Sequence, residues 1–318
     1  MYNKGMKKIV VLDGQAVMEQ DFDFTALQTF GTVTVYRTTT PDKVVERIGD
    51  AEIVVTNKVY ITKEILDQCP NVRFITVLAT GYNNIDIAYA KEKGIIVCNV
   101  PAYSTDSVVQ HTFALLLEIA CKISEHDRLV KEDAWSNHTN FCLCQGGTFE
   151  LTGKTLGIIG YGSIGKKVAT IAKSFGMNVL YTKKTPDNQS VSLEKVLQSS
   201  DIISLHCPLD SSNIKMINKS RISLMKDGVI LLNTARGGLI DEEDVAEALT
   251  CGKIRYFGAD VLAKEPPEKV NPLIHCKNTV ITSHIAWATK EALTRLMKVT
   301  IDNVSAHLKG KPINVVNQ

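Results

Sequence analysis

The chain has 318 residues, of which 44% are hydrophobic and 22% are charged, and its formal net charge is +2. This length exceeds one ordinary hydrophobic core and predicts two domains of common size. The small net charge gives no reason to expect nucleic acid or an anionic membrane as a partner. The longest apolar stretches, such as residues 113–120, are far shorter than the roughly 20 residues that cross a bilayer.

The amino terminus and the cysteines indicate the compartment. The N-terminal segment MYNKGMKKIVVLDG contains no apolar region followed by a cleavage site, so no export signal is expected. The cysteines, such as Cys98 and Cys207, are scattered through apolar contexts, which is typical of thiols in a reducing cytoplasm. Cys142 and Cys144 form one local cluster, but no Cys or His partners stand at metal-binding spacing around them. The sequence therefore predicts a cytoplasmic protein without a metal site.

Short β-branched runs such as KKIVVLDG, AEIVVTN and RFITVLA alternate with helical patterns in the first hundred residues. One helical pattern, TPDKVVERIG, opens with Thr40 and Pro41 at capping and first-turn positions. Strands that alternate with helices predict βαβ units and a parallel sheet. A long pattern over residues 104–132 predicts one connecting helix that leads into a second domain of the same class. An amphipathic pattern over residues 289–312 predicts a closing helix.

The second domain opens on a glycine-rich turn. Gly160, Gly162 and Gly165 have the spacing G-x-G-x-x-G, after the buried strand TLGII and before a helical pattern that ends at Gly176. In this context the turn lets the backbone approach a pyrophosphate, whose charge then lies at a helix N-terminus. The sequence therefore predicts a dinucleotide-binding unit.

The residue about 20 positions after such a turn normally binds the adenosine ribose through a carboxylate. Here that position holds Lys183, with Thr182 and Lys184 on either side. Ammonium groups would attract a 2′-phosphate that a carboxylate repels, although two lysines in a loop can also be ordinary solvated residues. We therefore expect NADP(H) to be favoured over NAD(H).

Three polar side chains stand near the ends of later predicted strands. Arg236 follows LLNTA, Glu265 follows FGADVLAK, and His284 follows TVITS. An open α/β sheet places its ligands at these carboxyl ends. An arginine, an acid and a histidine delivered there suit the binding of an anionic carbonyl substrate and the movement of a proton beside a hydride. Taken singly, His284 could be structural and Glu265 could be a solvated loop acid.

Several segments together resemble the D-isomer-specific 2-hydroxyacid dehydrogenase family. They are GYGSIG, NTARGGLIDEEDVAEAL, FGADVLAKEPPEKVNPL and SHIAWATKEA in the second domain and LATGYNNIDIAYAKEKGIIVCNVPAYST in the first. The likeness covers nearly the whole chain in the family's order, and TGYNNID, VVQHT and HIAWAT are most similar to the glycerate dehydrogenase or hydroxypyruvate reductase branch. The resemblance implies NAD(P)H-dependent reduction of hydroxypyruvate or glyoxylate to D-glycerate or glycolate, and the reverse oxidation.

The resemblance implies catalytic roles for Arg236, Glu265 and His284. His284 would protonate the carbonyl oxygen during reduction, and Glu265 would hydrogen-bond its imidazole and favour the charged form. Arg236 would hold the substrate carboxylate and polarise the carbonyl. A loop in the first domain would offer backbone N–H groups to the same carboxylate. The residues of that loop are Leu78, Ala79, Thr80 and Gly81.

The resemblance also implies a set of cofactor contacts along the second domain. The residues that would line the pyrophosphate and the adenosine ribose are Gly160, Tyr161, Gly162, Ser163, Ile164, Gly165, Thr182, Lys183 and Lys184. Those that would meet the nicotinamide half or fall at other cofactor positions are Thr112, His206, Cys207, Pro208, Thr234, Ala235, Arg236, Asp260 and His284. His206 could instead cap a strand end. Many relatives carry Asp where Lys183 stands, so the usual assignment of NAD is in doubt.

The architecture that the resemblance implies is α/β, with two Rossmann-like domains, parallel sheets and the active site in the interdomain cleft. Residues 1–103 with 290–318 would form a discontinuous, flavodoxin-like substrate-binding domain, and residues 104–289 would form the dinucleotide-binding Rossmann domain. The segment before the glycine turn, which carries Trp135 and Phe141, would pack against a second subunit, so a homodimer is expected. These apolar residues could equally pack on their own domain.

Other functions stay open at this point. D-lactate or 3-phosphoglycerate oxidation are alternatives within the family, although the chain ends at Gln318 without the regulatory domain that phosphoglycerate enzymes often carry. A non-enzymatic NAD(H)-sensing protein, like the family's transcriptional corepressors, is a further alternative that the presence of the arginine, acid and histidine disfavours. Residues that could recognise the substrate side chain, each with an ordinary packing explanation, are Asn57, Lys58, Tyr82 and Trp287.

Overall fold

The computed structural model describes residues 6–318, and within them the chain folds into two compact α/β units. One unit consists of residues up to Ser104 together with Ala288–Gln318, and the other consists of Thr105–Trp287. Residues 1–5, where the segment interpreted as lacking an export signal begins, lie outside the described range. Over residues 6–318, no helix combines the length and the apolar character that crossing a bilayer requires.

The first unit is built on a parallel sheet of short, β-branched strands. Its strands are β1 (Lys7–Val11), β2 (Gly31–Val35), β3 (Ile53–Thr56), β4 (Phe74–Val77) and β5 (Ile96–Cys98). They lie in the order β2-β1-β3-β4-β5, and each neighbouring pair is parallel. β3 and β4 are buried along their whole length, which is typical of the central strands of a parallel sheet. This is the flavodoxin-like order, in which the strand order reverses between β1 and β3.

Short helices connect these strands. They are α1 (Gln15–Met18), α2 (Val44–Ile48), α3 (Lys63–Gln68) and α4 (Ile87–Glu92), with 3₁₀ turns at Thr25–Thr29 and Pro41–Lys43. Thr40 and Pro41 lie at the cap and first position of the second 3₁₀ turn, which leads into α2. The fixed φ of proline suits this first position because its missing N–H has no partner there in any case.

The second unit contains a larger parallel sheet. Its strands are β6 (Thr155–Ile159), β7 (Asn178–Thr182), β8 (Ile202–Leu205), β9 (Val229–Asn233), β10 (Ile254–Ala259) and β11 (Thr279–Ile281). They lie in the order β11-β10-β9-β8-β6-β7, again with parallel neighbours. The strand order reverses between β6 and β8, which is where open α/β sheets bind their ligands. The prediction of two α/β domains with parallel sheets is confirmed.

The prediction of one connecting helix over residues 104–132 is wrong. The structure has two helices there, and the others of this unit follow in order: α5 (Thr105–Cys121), α6 (Ile123–Lys131), α7 (Ser163–Ser174), α8 (Leu193–Ser199), α9 (Lys219–Ile222) and α10 (Glu242–Thr250). Lys122 has a φ of +53°, a left-handed conformation that ends one helix and redirects the chain. The carboxylate of Glu118 then accepts the N–H of Ser124 at 3.2 Å, in the first turn of α6. α5 buries an apolar face, whereas α6 buries no residue.

The predicted closing helix is α11 (Lys290–Leu308), which belongs to the first unit. Thr289 caps it by accepting the N–H of Ala292 at 3.3 Å. The buried amide of Asn303 donates to the carbonyl of Asn99 at 2.9 Å, and the ring of His307 stacks on Phe74 with centroids 4.3 Å apart. These contacts fix the helix against β4 and the end of β5.

Candidate active site

The glycine-rich turn follows β6 and begins at a position that only glycine can occupy. Gly160 has a φ of +100° and donates its N–H to the carbonyl of Thr182 at 3.0 Å. A Cβ at this position would lie 2.4 Å from the backbone nitrogen of Cys207. The end of β6 therefore passes against the end of β8 at a distance that excludes any side chain.

The other two glycines shape the space in front of α7. A Cβ on Gly162 would meet no atom within 4 Å, so the turn is open at this point. A Cβ on Gly165 would lie 2.3 Å from the carbonyl oxygen of Gly160, so this glycine lets the helix pack against the turn. α7 starts at Ser163, directly beyond the opening, and its first N–H groups carry the positive end of the helix dipole. An open turn, a close strand and a helix N-terminus together fit a pyrophosphate.

The two lysines at the end of β7 each face an acid. Nζ of Lys183 lies 2.8 Å from Oδ2 of Asp187, and Nζ of Lys184 lies 3.1 Å from Oδ2 of Asp210. The side chain of Lys183 is 31% exposed, whereas that of Lys184 is 87% exposed. The formal charges of these four groups add to zero, so each lysine has an acid beside it that the spacing of the sequence did not indicate.

The end of β8 carries a neutral histidine. Nε2 of His206 lies 2.8 Å from Oγ of Ser204, and its buried Nδ1 has no hydrogen-bond partner among residues 6–318. Burial lowers the pKa of His206 to about 4. Burial likewise raises the pKa of Cys207 to about 11, so this thiol stays protonated. His206, Cys207 and Pro208 lie beside the glycine turn, because the backbone of Cys207 is the group that approaches Gly160.

Arg236 follows β9 on a turn that Asn233 holds. The buried amide of Asn233 donates to the carbonyl of Arg236 at 2.9 Å and accepts the N–H of Ala235 at 3.1 Å. The guanidinium of Arg236 is exposed and donates to the carbonyl of Ala235 at 2.7 Å. Thr234 is joined to Thr112 of α5 by a buried hydroxyl–hydroxyl bond of 3.0 Å. An exposed guanidinium on a braced turn is available to an anionic ligand.

Glu265 and His284 are in direct contact. Oε2 of Glu265 lies 2.6 Å from Nδ1 of His284, and its Oε1 accepts the N–H of Leu262 at 3.0 Å. His284 has a φ of +57°, and its carbonyl accepts the indole N–H of Trp287 at 2.8 Å. A carboxylate on Nδ1 fixes the orientation of the ring and leaves Nε2 as the nitrogen that can exchange a proton with a ligand.

Asp260 holds the loop that carries His284, a role that sequence reasoning missed. Its buried carboxylate accepts the N–H groups of Ile285 and Ala286 at 2.9 and 2.8 Å and the hydroxyl of Thr282 at 2.6 Å. His111 of α5 contacts both Thr282, at 2.8 Å, and Asp260, at 3.5 Å. The available signal was the position of Asp260, an acid directly after the buried strand β10.

The loop after β4 in the first unit is anchored through its oxygen atoms. The carbonyl of Ala79 accepts the N–H of Val100 at 3.0 Å, and the hydroxyl of Thr80 donates to the carbonyl of Val100 at 2.9 Å. Leu78 is buried and donates to the carbonyl of Thr56 at 2.8 Å. In the described part of the chain, no hydrogen bond uses the N–H groups of Ala79, Thr80 or Gly81.

The neighbouring loop after β3 is held by one buried acid. The carboxylate of Asp13 accepts the N–H groups of Asn57 and Val59 at 2.7 and 3.2 Å and the N–H of Lys58 at 2.5 Å. Burial raises the pKa of Asp13 more than these hydrogen bonds lower it. Asp13 therefore fixes the backbone conformation at Asn57 and Lys58, two of the residues that could recognise the substrate side chain.

The segment between α6 and β6 exposes its apolar side chains. Phe141 is 91% exposed and Trp135 is 48% exposed, and the indole N–H of Trp135 donates to the carbonyl of Phe141 at 3.0 Å. The sulfur atoms of Cys142 and Cys144 lie 3.7 Å apart. All eight cysteines of the chain fall in the described range and are free thiols.

In the second unit, one sheet edge gathers most of the predicted residues. The glycine turn follows β6, Lys183 follows β7, His206 follows β8 and Arg236 follows β9. Glu265 and His284 lie in the loops after β10 and β11. Because all these strands are parallel, their carboxyl ends share one edge. An exposed arginine, an acid–histidine pair and an open glycine turn on one edge have the chemistry needed to bind a dinucleotide and to move a proton beside it.

Comparison with known proteins gives the same family as these features. Residues 113–286 match the family model described as D-isomer specific 2-hydroxyacid dehydrogenase, NAD binding domain. The chain is 46% identical to a hydroxypyruvate reductase of Blautia hydrogenotrophica, across 98% of this chain and 100% of the relative. It is 39% identical to a glycerate dehydrogenase of Methylorubrum extorquens, across 98% of this chain and 99% of the relative.

A solved structure with the same fold is an acyclic imino acid reductase (Bsp5) in complex with NADPH and D-Arg. It matches 97% of this chain and 99% of its own, with a TM-score of 0.83 and 32% identity. Together with the family model, which spans the glycine turn, Arg236 and His284, these matches agree with the chemistry of the sheet edge. The chain belongs to the D-isomer specific 2-hydroxyacid dehydrogenases, a family of oxidoreductases that use NAD(H).

Proposed function

We propose that the protein reduces hydroxypyruvate or glyoxylate to D-glycerate or glycolate with NAD(P)H, and catalyses the reverse oxidation. The observation that carries the proposal is the contact of 2.6 Å between Glu265 and Nδ1 of His284, on the same sheet edge as Arg236 and the glycine turn. The similarity to a hydroxypyruvate reductase and a glycerate dehydrogenase over almost the whole chain supports this choice of substrates.

His284 would be the proton donor for reduction. With Nδ1 on Glu265, Nε2 is the atom that can give a proton to the carbonyl oxygen. The carboxylate of Glu265 holds the orientation of the ring, and Asp260 holds the backbone of the loop on which the ring stands. In the reverse direction the same nitrogen would take the proton of the hydroxyl group.

Arg236 would bind the substrate carboxylate. Its guanidinium is exposed on a turn that Asn233 braces, and a planar fork of donors matches a carboxylate. Once bound there, the cation also polarises the adjacent carbonyl towards attack by hydride. For the first unit, we propose that the N–H groups of Ala79, Thr80 and Gly81 bind the same type of group, since their carbonyl and hydroxyl oxygens are the atoms used for anchoring.

The dinucleotide, when bound, supplies the hydride, and the residues of the second unit would hold it. The turn from Gly160 to Gly165 and the N-terminus of α7 would bind the pyrophosphate, and Thr182 and Lys183 would meet the adenosine ribose. We propose that NADP(H) is favoured over NAD(H), because the position of the usual acid holds a lysine. The NADPH complex of the acyclic imino acid reductase shows that this fold can take the phosphorylated cofactor.

We also propose a cytoplasmic homodimer. Phe141 and Trp135 expose a large apolar area for a monomer, and α6 beside them buries no residue. Eight free thiols without a disulfide suit a reducing compartment. The unit with Thr105–Trp287 would be the cofactor domain, and the other unit would be the substrate domain.

The test is reduction of hydroxypyruvate and of glyoxylate by the purified protein, each with NADPH and with NADH. We expect turnover of at least one acid, with D-glycerate or glycolate as the product and a higher kcat/KM with NADPH. A higher kcat/KM with NADH would leave the reaction in place and contradict the cofactor preference. Turnover of pyruvate or 3-phosphohydroxypyruvate alone would contradict the proposed substrates.

A further inference from the structure

One acid at the end of β7 is placed against the lysine that would meet the adenosine ribose. Oδ2 of Asp187 accepts from Nζ of Lys183 at 2.8 Å. Oδ1 accepts from the hydroxyl of Tyr181 at 2.8 Å and from the N–H groups of Gln189 and Ser190 at 3.1 and 2.9 Å. Both oxygens of the carboxylate are therefore in use.

The contacts around Asp187 hold its carboxylate in one orientation. Oγ of Ser190 accepts the N–H of Asp187 and donates to its carbonyl, both at 2.9 Å, which closes the turn that carries the acid. The ring of Tyr181 stacks on Tyr161 of the glycine turn, with centroids 3.6 Å apart. Bonds from Lys183 and Tyr181 hold the pKa of Asp187 well below its usual range, so the carboxylate keeps its charge at every physiological pH.

We propose that Asp187 is a specificity-determining residue, whose fixed negative charge neutralises Lys183 and weakens the binding of an adenosine 2′-phosphate, so that NADH competes with NADPH. The inference rests on the proposed function, since it requires the adenosine ribose to lie at the end of β7. A 2′-phosphate beside Lys183 would meet an anion that is held by four hydrogen bonds, one of them from the same ammonium group. Unphosphorylated ribose brings no charge and avoids this repulsion.

The pair formed by Lys184 and Asp210 is a natural contrast. Asp210 is as exposed as Asp187, at 40% and 39%, but the lysine that it contacts at 3.1 Å is 87% exposed, so solvent and salt screen this pair more strongly. Lys183 is 31% exposed and is held at 2.8 Å by a carboxylate with three further donors. Removing the charge of Asp187 should therefore change the preference, whereas removing that of Asp210 should not.

The experiment compares the wild-type protein with Asp187→Asn, and with Asp210→Asn as the matched control. Calorimetry measures the Kd of 2′,5′-ADP and of 5′-AMP, which report the adenosine end without any turnover. For Asp187→Asn, the ratio of the two Kd values should move about tenfold towards 2′,5′-ADP, as expected for removing one anion at this range. The shift should shrink at high salt, and Asp210→Asn should stay within twofold of wild type.

The outcomes separate the two proposals. If both nucleotides bind and the ratio in Asp187→Asn stays within twofold of wild type, the assignment of Asp187 is wrong and the cofactor site stands. If neither nucleotide binds the wild-type protein, the proposed cofactor site itself is wrong. Asp187→Ser, whose hydroxyl can still accept the N–H of Gln189, is the second variant should the asparagine protein unfold, and the same shift is required of it.

Discussion

At the scale of single residues, the candidate site depends on side chains that are held by other side chains. His284 is oriented by Glu265 at 2.6 Å, and Arg236 stands on a turn closed by the amide of Asn233. In each functional group one polar atom is bonded within the protein, which orients the group and leaves its other polar atoms for a ligand. Substitutions at this scale should therefore separate chemistry from binding.

Replacing His284 by glutamine should lower kcat for hydroxypyruvate reduction by about 10²–10⁴-fold, because an amide cannot donate a proton to the carbonyl oxygen. Steady-state kinetics measures the loss, and calorimetry checks that the Kd for NADPH stays within a few-fold of wild type. Near-normal kcat in this variant would contradict the role of His284 as the proton donor.

The lowered pKa of His206 predicts how the stability of the protein depends on pH. Its folded-state pKa is lowered to about 4, while an unfolded histidine titrates near about 6.5. The unfolded chain therefore takes up a proton first, so the stability is fully present above about pH 6.5 and falls as the pH drops towards 4. At pH 5 this loss amounts to about 2 kcal/mol.

Urea unfolding at pH 7.5 and pH 5 tests this assignment. In His206→Gln, whose amide can still bond to Ser204, the loss of stability between the two pH values should be about 2 kcal/mol smaller than in wild type. His275→Gln is the control for replacing a histidine at an exposed position. An equal pH dependence in wild type and His206→Gln would show that His206 does not titrate as expected.

Among the secondary-structure elements, the segment from β6 through the turn to α7 has a conformation that its glycines explain. Gly160 is required by a φ of +100° and by the backbone of Cys207, so it matters to the folded protein itself. Gly162 borders open space, and its φ of −86° suits any residue, so it matters only when a ligand fills that space. Substitution of Gly160 should therefore mainly lower stability, whereas substitution of Gly162 should mainly weaken cofactor binding.

Alanine at Gly160 should destabilise the protein by about 2–4 kcal/mol, because a backbone collision adds to a left-handed conformation. Alanine at Gly162 should lower the thermal midpoint by at most about 3 °C, the cost of alanine at the N-cap of α7, and raise the Kd for NADPH at least about tenfold, because its methyl group enters the pyrophosphate space. Thermal unfolding and calorimetry measure both variants. Wild-type NADPH affinity in Gly162→Ala would mean that the pyrophosphate does not bind at this turn.

Elements also show where local pattern was insufficient. The pattern over residues 104–132 is helical throughout, yet Lys122 takes a left-handed conformation and divides it into α5 and α6. Hydrophobic periodicity indicates the apolar face of α5, but it does not indicate the single residue, Lys122, at which the backbone changes direction. The glycine turn was predictable because three glycines at fixed spacing have a single local explanation between a strand and a helix.

At the scale of the whole molecule, the exposed segment between α6 and β6 bears on assembly. If the proposed homodimer forms through Phe141, the protein should sediment as a dimer, and Phe141→Glu should dissociate it, because a buried carboxylate without a partner is costly. Ile214→Glu, at another exposed apolar residue of the same unit, should remain dimeric. A monomeric wild-type protein, or a dimeric Phe141→Glu variant, would remove this interface from the proposal.

The fold class, the glycine turn and the location of Arg236, Glu265 and His284 after strands could be predicted from the sequence, because strand periodicity and the residues at strand ends are local properties. The groups that these residues contact are visible only in the folded protein. Nζ of Lys183 lies 2.8 Å from the carboxylate of Asp187, and Asp260 holds residues more than twenty positions away in the chain. The partners of Asp260 depend on how loops return to one sheet edge, which no local pattern encodes. Asp187 is only four positions from Lys183, but their contact depends on the fold of the turn after β7, which Ser190 closes.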